Sequence, residues 1–420
     1  MAGVITRRMP PQLPPKERLY ASNAGDTIHD WMQSSTDFTR RIPQLDGLRG
    51  VAITMVVVFH YVGYAVTFGA PSFVKLLIRP TSLGWSGVDL FFVLSGFLIG
   101  GILLDARDAP NYFRVFYRRR ACRILPLYAA FLASVLGATY LSTPPASFVL
   151  RPPIPWLAAA TFCQNFWMAI HNNMGPSAVN PTWSLAVEEQ FYLTLPALVY
   201  FVKPSRLIWI VIGGVIAAPL VRLGIFLVNP SLTVAMYVLL PCRMNSLLIG
   251  VAAAYFVRRG GAMEALRARR RELWTAIEVL TVICGLLMIR ADMFDPFKTL
   301  IGYDCFGLLY ACVLVTALVD EGFAKFLQAK WLMGLGSIAY GLYLIHPLVF
   351  VLTFYLFRSN RNGGAIAAIV SVAVTILIAK ASWEWFEKPF VKRGHREGYI
   401  ASGGQVPPQR TEELRPLQYR

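Results

Sequence analysis

One histidine in the first apolar stretch is placed to do proton chemistry. His60 follows Arg49 by eleven residues, after a segment that reads Leu-Asp-Gly-Leu-Arg-Gly at 45–50. In a helix these two side chains share one face and stand about 16 Å apart along the axis. Arg49 then lies at a membrane boundary and His60 near mid-membrane. An imidazole there can take a proton from a hydroxyl; the alternative is a histidine that only bonds a neighbouring helix.

A second candidate site is a run of arginines that opens the third apolar stretch. Arg120 and Arg123 lie one helical turn apart, and Arg119 precedes them. Guanidinium groups at this spacing suit bidentate contact with phosphates, such as those of an acyl-CoA. The alternative is positive charge that anchors a cytoplasmic loop and attracts anionic lipid.

Ionisable and aromatic residues inside other apolar stretches are the remaining candidates. Trp183 predicts an interfacial anchor on the outer side, which places Glu188 and Glu189 about 8 to 9 Å into the membrane. Carboxylates at that depth need a cavity or a partner, unless the boundary lies elsewhere and the pair is on the outer surface. The substrate-binding candidates are Asp89, Trp183, Glu189, Tyr192, Arg243 and His346.

These polar residues are exceptions in a chain whose composition is typical of a membrane protein. Of its 420 residues, 56% are hydrophobic and 15% are charged, with a net charge of +17, whereas soluble chains are about 25% charged. The arginines occur in short runs between apolar stretches, which favours a membrane anchor over a nucleic-acid binder. Six scattered cysteines predict reduced thiols, with no metal and no disulfide framework.

The fold class that follows is an all-α polytopic helix bundle. A span needs roughly 20 apolar residues, and eleven stretches qualify as candidates: 49–68, 84–104, 124–142, 154–170, 183–202, 206–228, 232–257, 275–291, 299–319, 333–357 and 364–386. The basic loops 107–123 and 258–271 should both be cytoplasmic, yet five stretches separate them. We therefore predict that 154–170 is a re-entrant or interfacial segment, that ten helices cross, and that both termini are cytoplasmic.

The chain divides into three parts on the same grounds. Residues 1–40 and 391–420 are predicted to be cytoplasmic tails, the first of them disordered, and 41–390 the membrane domain. No apolar run near the start has the length of a signal peptide. After Glu387 we expect no further soluble domain, so that the membrane domain alone would modify an acceptor.

Five segments together resemble the acyltransferase-3 family of integral membrane acyltransferases, between about Pro43 and Pro389. They are the 45–50 segment with its histidine, Gly-Val-Asp-Leu-Phe-Phe-Val-Leu-Ser-Gly-Phe at 87–97, Arg-x-x-Arg at 120–123, Trp-Ser-Leu-Ala-Val-Glu-Glu-Gln-Phe-Tyr at 183–192, and Tyr-Leu-x-His-Pro at 343–347. Two positions depart from the family pattern. Asn245 stands where an aspartate is common, and Ala339 where a serine is common.

The resemblance implies transfer of an acyl group, commonly acetyl, from cytoplasmic acyl-CoA to a hydroxyl of a carbohydrate, glycolipid or small metabolite. It implies a multi-pass protein of the bacterial inner membrane, with acyl-CoA as a substrate and no permanently bound cofactor or metal. By position, His60 is the general base or a transient acyl carrier. Glu188 is a second catalytic candidate that orients His60 or the acceptor, and the donor-binding candidates are Arg49, Arg119, Arg120 and Arg123.

Two further points stay open at this level. A transporter or flippase of a lipid-linked or anionic substrate would use the same kind of polar cavity, and it is the alternative function. The oligomeric state is not determined by the sequence, and no nucleic-acid partner is expected.

Overall fold

All regular secondary structure in the described residues is helical. The computed structural model describes residues 42–67, 79–141, 154–289, 295, 298–357 and 363–400. The α-helices in these ranges are α1 (Pro43–Thr67), α2 (Gly87–Asp105), α3 (Tyr112–Leu141), α4 (Trp156–Ala160), α5 (Gln164–Ile170), α6 (Thr182–Phe201), α7 (Pro204–Val228), α8 (Thr233–Val238), α9 (Leu240–Val257), α10 (Ala262–Ala268), α11 (Arg270–Ile289), α12 (Tyr303–Val319), α13 (Glu321–Leu327), α14 (Lys330–Ser337), α15 (Ala339–Phe357), α16 (Gly363–Ala381) and α17 (Lys388–Gly394). A 3-10 helix at Arg79–Ser86 and π-helical turns at Lys298–Gly302 and Ser382–Glu387 complete the list.

The predicted all-α polytopic class is confirmed. Within the described ranges, eight stretches are long and apolar enough to cross a membrane: Pro43–Val62, Thr81–Asp105, Tyr112–Thr139, Pro204–Val228, Thr233–Val257, Lys298–Val319, Ala339–Phe357 and Ile366–Gly394. Helices α6 and α11 have 20 residues each but are more polar, and they coincide with two further predicted spans. The count of ten crossings and the cytoplasmic position of both termini stay predictions.

The segment at 154–170 forms two short helices rather than one long one. Helix α4 has five residues and α5 has seven, far fewer than the roughly 20 that a span needs. The Gln164 amide donates to the backbone oxygen of Thr182 at 2.9 Å, and the Gln190 amide donates to that of Phe162 at 2.9 Å. Irregular backbone at membrane depth needs such internal partners. The structure therefore agrees with a segment that does not cross as a helix.

Helix α2 is buried in the centre of the bundle, and glycine allows its closest contact. A Cβ atom at Gly96 would lie 1.9 Å from the backbone oxygen of Leu247 in α9, and one at Gly250 would lie 2.2 Å from that of Val93. Small residues at such positions allow two helix backbones to approach within contact distance. Glycine at these two positions is therefore what lets α2 and α9 come this close.

A buried ion pair joins the same two helices. Arg243 donates to Asp89 at 2.9 Å, and both side chains are fully buried. The Ser246 hydroxyl donates to the same carboxylate oxygen at 3.0 Å, and the guanidinium carbon lies 3.8 Å from the centre of the Tyr303 ring. Each charge is thus compensated by a partner inside the bundle, as burial in an apolar surrounding requires.

Trp183 belongs to this interior, so the prediction that it anchors the outer interface is wrong. Its side chain is 3% exposed and packs edge-to-face on Phe92, with the Tyr237 ring centre 4.5 Å away. The Arg243 guanidinium lies 5.6 Å from the Trp183 ring. An indole can stabilise a buried cation through its π face, which explains why this tryptophan lies inside the bundle.

Ordered structure continues beyond residue 390, where the C-terminal tail is predicted to begin. Helix α17 runs to Gly394, and residues 395–400 lie against α3, where Asn111 bonds the backbone of Gly398 and Ile400. The predicted C-terminal tail therefore begins no earlier than residue 401. Residues 1–41 and 401–420, on which the tail predictions fall, lie outside the described residues.

Candidate functional site

A cavity opens between helices α1, α2, α3, α6, α14 and α15. Its empty volume is about 790 Å³, the open mouth included. The polar side chains that line it come from five of these helices, far apart in the sequence. They are Arg49, Ser95, Arg120, Arg123, Ser184, Glu188, Tyr192, Tyr340 and Tyr343.

Three of the four predicted donor-binding arginines form one wall of this cavity. Arg49 is held by Asp46 at 2.8 Å, and the Arg120 guanidinium lies 5.7 Å from the centre of the Tyr192 ring. In the described part of the chain, neither Arg120 nor Arg123 has a hydrogen bond or an ion pair. Their N–H groups therefore remain available for an anion in the cavity.

Arg119 does not join this wall. Its guanidinium donates to the backbone oxygen of Glu397 at 3.0 Å and lies 5.1 Å from the centre of the Tyr399 ring. Arg119 is therefore not grouped with Arg120 and Arg123 in the structure, because its guanidinium binds the C-terminal residues Glu397 and Tyr399 instead.

Glu188 reaches the cavity and is held there by two hydroxyl groups. Ser95 donates to one carboxylate oxygen at 3.0 Å, and Tyr192 donates to the other at 3.3 Å. No hydrogen bond joins Glu188 to His60 among the described side chains, so the structure does not support the expectation that Glu188 orients this histidine. Glu189 does not line the cavity, and its Oε1 atom is buried with no protein partner in the described ranges.

His60 instead pairs with His346. The His346 Nε2 atom lies 3.3 Å from His60 Nδ1. His346 Nδ1 contacts the backbone oxygens of Tyr343 at 2.8 Å and Leu342 at 3.1 Å, and His60 Nδ1 contacts that of Val56 at 2.8 Å. A carbonyl oxygen only accepts, so in the neutral rings both Nδ1 atoms carry the proton. His60 Nε2 is then the unprotonated nitrogen.

The histidine pair lies directly behind Tyr343, which lines the cavity. The Tyr343 and His346 ring centres are 5.9 Å apart, while neither histidine itself lines the cavity. The Tyr343 hydroxyl donates to the backbone oxygen of Pro181 at 2.8 Å and lies 2.5 Å from Ser184 Oγ. Tyr343 thus lines the cavity on one side and contacts the ring of His346 on the other.

Comparison with known proteins identifies the family of the chain. A family model described as an acyltransferase domain matches residues 42–381. The chain belongs to the acyltransferase-3 family. The predicted family and the predicted enzyme class, an acyltransferase, are confirmed.

Curated relatives of the family are named O-acetyltransferases. The peptidoglycan O-acetyltransferase OatA of Listeria monocytogenes is 29% identical over 381 residues, 86% of this chain and 58% of the relative. The O-acetyltransferase OatA of Staphylococcus aureus is 26% identical over 384 residues, which are 85% of this chain and 58% of the relative. The putative peptidoglycan O-acetyltransferase YrhL of Bacillus subtilis is 28% identical over 380 residues, 87% and 57%. The chain thus spans less than two thirds of their length, and no solved structure gives a significant match.

A second ion pair, in which the arginine is fully buried and the aspartate half-buried, accounts for one departure from the family pattern. Arg222 in α7 pairs with Asp304 in α12, and the Asn245 amide donates to the other oxygen of Asp304 at 2.8 Å. An aspartate at 245 would direct a second carboxylate at Asp304, so the amide suits this chain. The sequence reading passed over Arg222 and Asp304, although each is an ionisable residue within an apolar stretch.

Proposed function

We propose that this acyltransferase transfers an acetyl group from acyl-CoA to a hydroxyl of a carbohydrate acceptor of the bacterial envelope, from a position in the inner membrane. The observation that carries the proposal is the cavity itself. Arginines line one wall, two of them without an ion pair among the described residues, and the His60–His346 pair lies behind Tyr343. The O-acetyltransferase names of the relatives support the acetyl group and the carbohydrate.

The arginine wall suits the phosphates of the donor. Arg120 and Arg123 offer several N–H groups without competing partners in the described part of the chain, and Arg49 adds a third guanidinium. A planar guanidinium matches phosphate oxygens in a bidentate geometry. With the phosphates bound there, at the cytoplasmic mouth, the thioester arm would pass the Tyr343 ring to reach His60.

The histidine pair suits the proton transfers of acyl exchange. His60 Nε2 takes the proton of the acceptor hydroxyl while the hydroxyl oxygen attacks the thioester carbonyl carbon. The C–O bond forms, the C–S bond breaks, and His60 returns the proton to the CoA thiolate. The imidazolium that forms in between keeps its Nδ1 proton bonded to Val56 and His346. Attack by Nε2 on the thioester, with an acyl-histidine as carrier, uses the same atom.

Glu188 and its hydroxyl partners suit the acceptor. A carboxylate that already accepts from Ser95 and Tyr192 keeps lone pairs for a sugar hydroxyl. Relatives named for peptidoglycan favour a glycan over a small metabolite as this acceptor. Binding to Glu188 would hold the sugar in the cavity, with its reacting hydroxyl directed past Tyr343 toward His60.

The test is acetyl transfer by the purified protein. Labelled acetyl-CoA and a soluble peptidoglycan fragment would be incubated with the protein in detergent, and acetylated product would be measured by mass spectrometry. We expect His60→Ala to abolish transfer, whereas His171→Ala, which changes an exposed histidine that contacts Trp167 on the short helix α5, should not. Normal transfer by His60→Ala would overturn the mechanism. Movement of a substrate without an acetyl adduct would favour the transporter alternative.

A further inference from the structure

The residues that follow the last helix form a strap along α3. We call Gly394–Ile400 the C-terminal strap; it lies outside the region that the family model matches. The Glu397 carboxylate accepts from Arg118 at 2.8 Å and pairs with Arg114 at 3.4 Å. Its backbone oxygen accepts from Arg119 at 3.0 Å. One residue of the strap thus engages three arginines of α3.

Both ends of the C-terminal strap are fixed along α3, one at Asn111, directly before the first residue of the helix, and one at Cys122. At one end, the Asn111 amide donates to the backbone oxygen of Gly398 at 2.9 Å, and the Ile400 N–H donates to Asn111 Oδ1 at 3.1 Å. At the other end, a Cβ atom at Gly394 would lie 2.9 Å from Cys122 Cβ. The contacts therefore extend over three turns of α3, about 16 Å.

The strap divides the arginines of α3 into two groups. Arg114, Arg118 and Arg119 face the strap, while Arg120 and Arg123 line the cavity. The sequence run alone does not distinguish these groups, because Arg118, Arg119 and Arg120 are consecutive. The partners supplied by Glu397 decide which guanidinium groups are neutralised.

The contact between Arg119 and the strap leaves some polar atoms unpaired among the described side chains. Within the described residues, Arg119 Nε and the Tyr399 hydroxyl are buried without a hydrogen-bond partner. The Arg119–Tyr399 contact is thus held by ring stacking and the Glu397 backbone rather than by a complete polar network. It would loosen if the strap left α3.

We propose that the C-terminal strap positions the donor-binding arginines. It holds Arg118 and Arg119 against Glu397 and Tyr399, and this fixes the turn 118–123 with Arg120 and Arg123 directed at the cavity. Glu397 is therefore a positioning residue that does not itself touch the donor. The inference rests on the proposed function, because it assigns the cavity arginines to the phosphates of acyl-CoA.

The direction in which the KM for acetyl-CoA changes distinguishes a positioning role of Glu397 from a purely electrostatic one. Glu397→Gln removes a negative charge beside an anion site, which by electrostatics alone would lower the KM for acetyl-CoA. Loss of positioning has the opposite sign. We expect the KM for acetyl-CoA to rise about fivefold while kcat stays within about twofold, since binding in the ground and transition states weakens together. Glu397→Asp, which keeps the charge, should recover part of the increase.

Two further variants make this test specific. Glu384→Gln removes a carboxylate that pairs with Lys388 and, among the described residues, with no arginine of α3, and should leave the KM unchanged. Arg118→Gln combined with Glu397→Gln should raise the KM no more than Glu397→Gln alone, because both remove one interaction. An unchanged or lowered KM in Glu397→Gln would overturn the positioning role.

Docking of the strap has a readout that does not depend on the donor. Gly394→Cys places a thiol beside Cys122, and a shift of about 1 Å brings the pair to disulfide spacing. We expect mild oxidation of this variant to join the introduced thiol to Cys122, detected by peptide mapping, and an absent crosslink counts against the strap. If Arg120→Ala with Arg123→Ala fails to raise the KM, the donor site is wrong. If it raises the KM and Glu397→Gln does not, only the strap inference fails.

Discussion

His346 Nε2 lies 3.3 Å from His60 Nδ1, across the contact between the helices α15 and α1. The two residues are 286 positions apart, and each ring is further fixed by backbone oxygens of its own helix. The backbone of His346 is also held in place, because the Tyr61 hydroxyl donates to its backbone oxygen at 3.1 Å. The contacts thus hold both rings in place and leave His60 Nε2 as the nitrogen to which we assign the proton transfer.

The pair predicts a role for His346 in turnover rather than in donor binding. His346→Ala removes the acceptor that helps to hold His60 Nδ1–H, so the ring of His60 should lose orientation. We expect kcat to fall about 10- to 100-fold, less than the roughly 100- to 10,000-fold that a general base contributes in full, with little change in the KM for acetyl-CoA. Steady-state kinetics of purified protein check this, and a normal kcat in His346→Ala would show that the pair only packs the two helices.

Glu188 and Glu189 offer a matched comparison within one turn of helix α6. Glu188→Gln keeps the shape but weakens the bonds from Ser95 and Tyr192, and a bond to a charged acceptor is worth about 1.5 to 3 kcal/mol. We expect the KM for the glycan acceptor to rise about tenfold or more, with the KM for acetyl-CoA unchanged. Glu189→Gln changes a side chain that does not line the cavity and should have a much smaller effect. Equal effects of the two variants on the acceptor KM would contradict this assignment.

The sequence could predict which helices form and which residues are out of place in them, but only part of how they meet. Arg49 and His60 were placed on one helix face from their spacing alone, and the structure finds Arg49 on the cavity wall. The partner of His60 was not deducible, because periodicity within one helix carries no information about which face of a distant helix will contact it. For the same reason Glu188 was assigned to His60, whereas the fold gives it Ser95.

The wrong prediction that Trp183 lies at the membrane interface has a similar cause. The interfacial preference of tryptophan is a statistical tendency for residues at a membrane boundary, and it took no account of Arg243. In the fold, that buried cation is surrounded by aromatic rings, and Trp183 is one of them. The separation of Arg119 from Arg120 and Arg123 is not predictable from the sequence, because its partners Glu397 and Tyr399 lie in a segment predicted to be a tail.

The Asp89–Arg243 pair should contribute to stability only as a pair. Asp89→Asn leaves a fully buried guanidinium without its counter-charge, and removing one partner of a buried pair costs about 3 to 5 kcal/mol. We expect this variant to unfold at a clearly lower temperature in detergent. Asp89→Asn combined with Arg243→Met should be less destabilised than the sum of the two single variants, because no charge is then left alone. Strict additivity in thermal unfolding would argue against the pairing.

The contact at Gly96 makes the most direct prediction about the bundle. A methyl group there meets the backbone oxygen of Leu247 at 1.9 Å, and because the obstacle is backbone, α2 and α9 must separate to admit it. Overpacking of this kind costs about 1 to 3 kcal/mol, so Gly96→Ala should lower the unfolding temperature. Gly213→Ala, in the middle of α7, is the control, since a Cβ atom there has no neighbour within 4 Å. It should gain up to about 1 kcal/mol from helix propensity. If Gly96→Ala unfolds at or above the temperature of Gly213→Ala, the two helices are not as close as the glycines indicate.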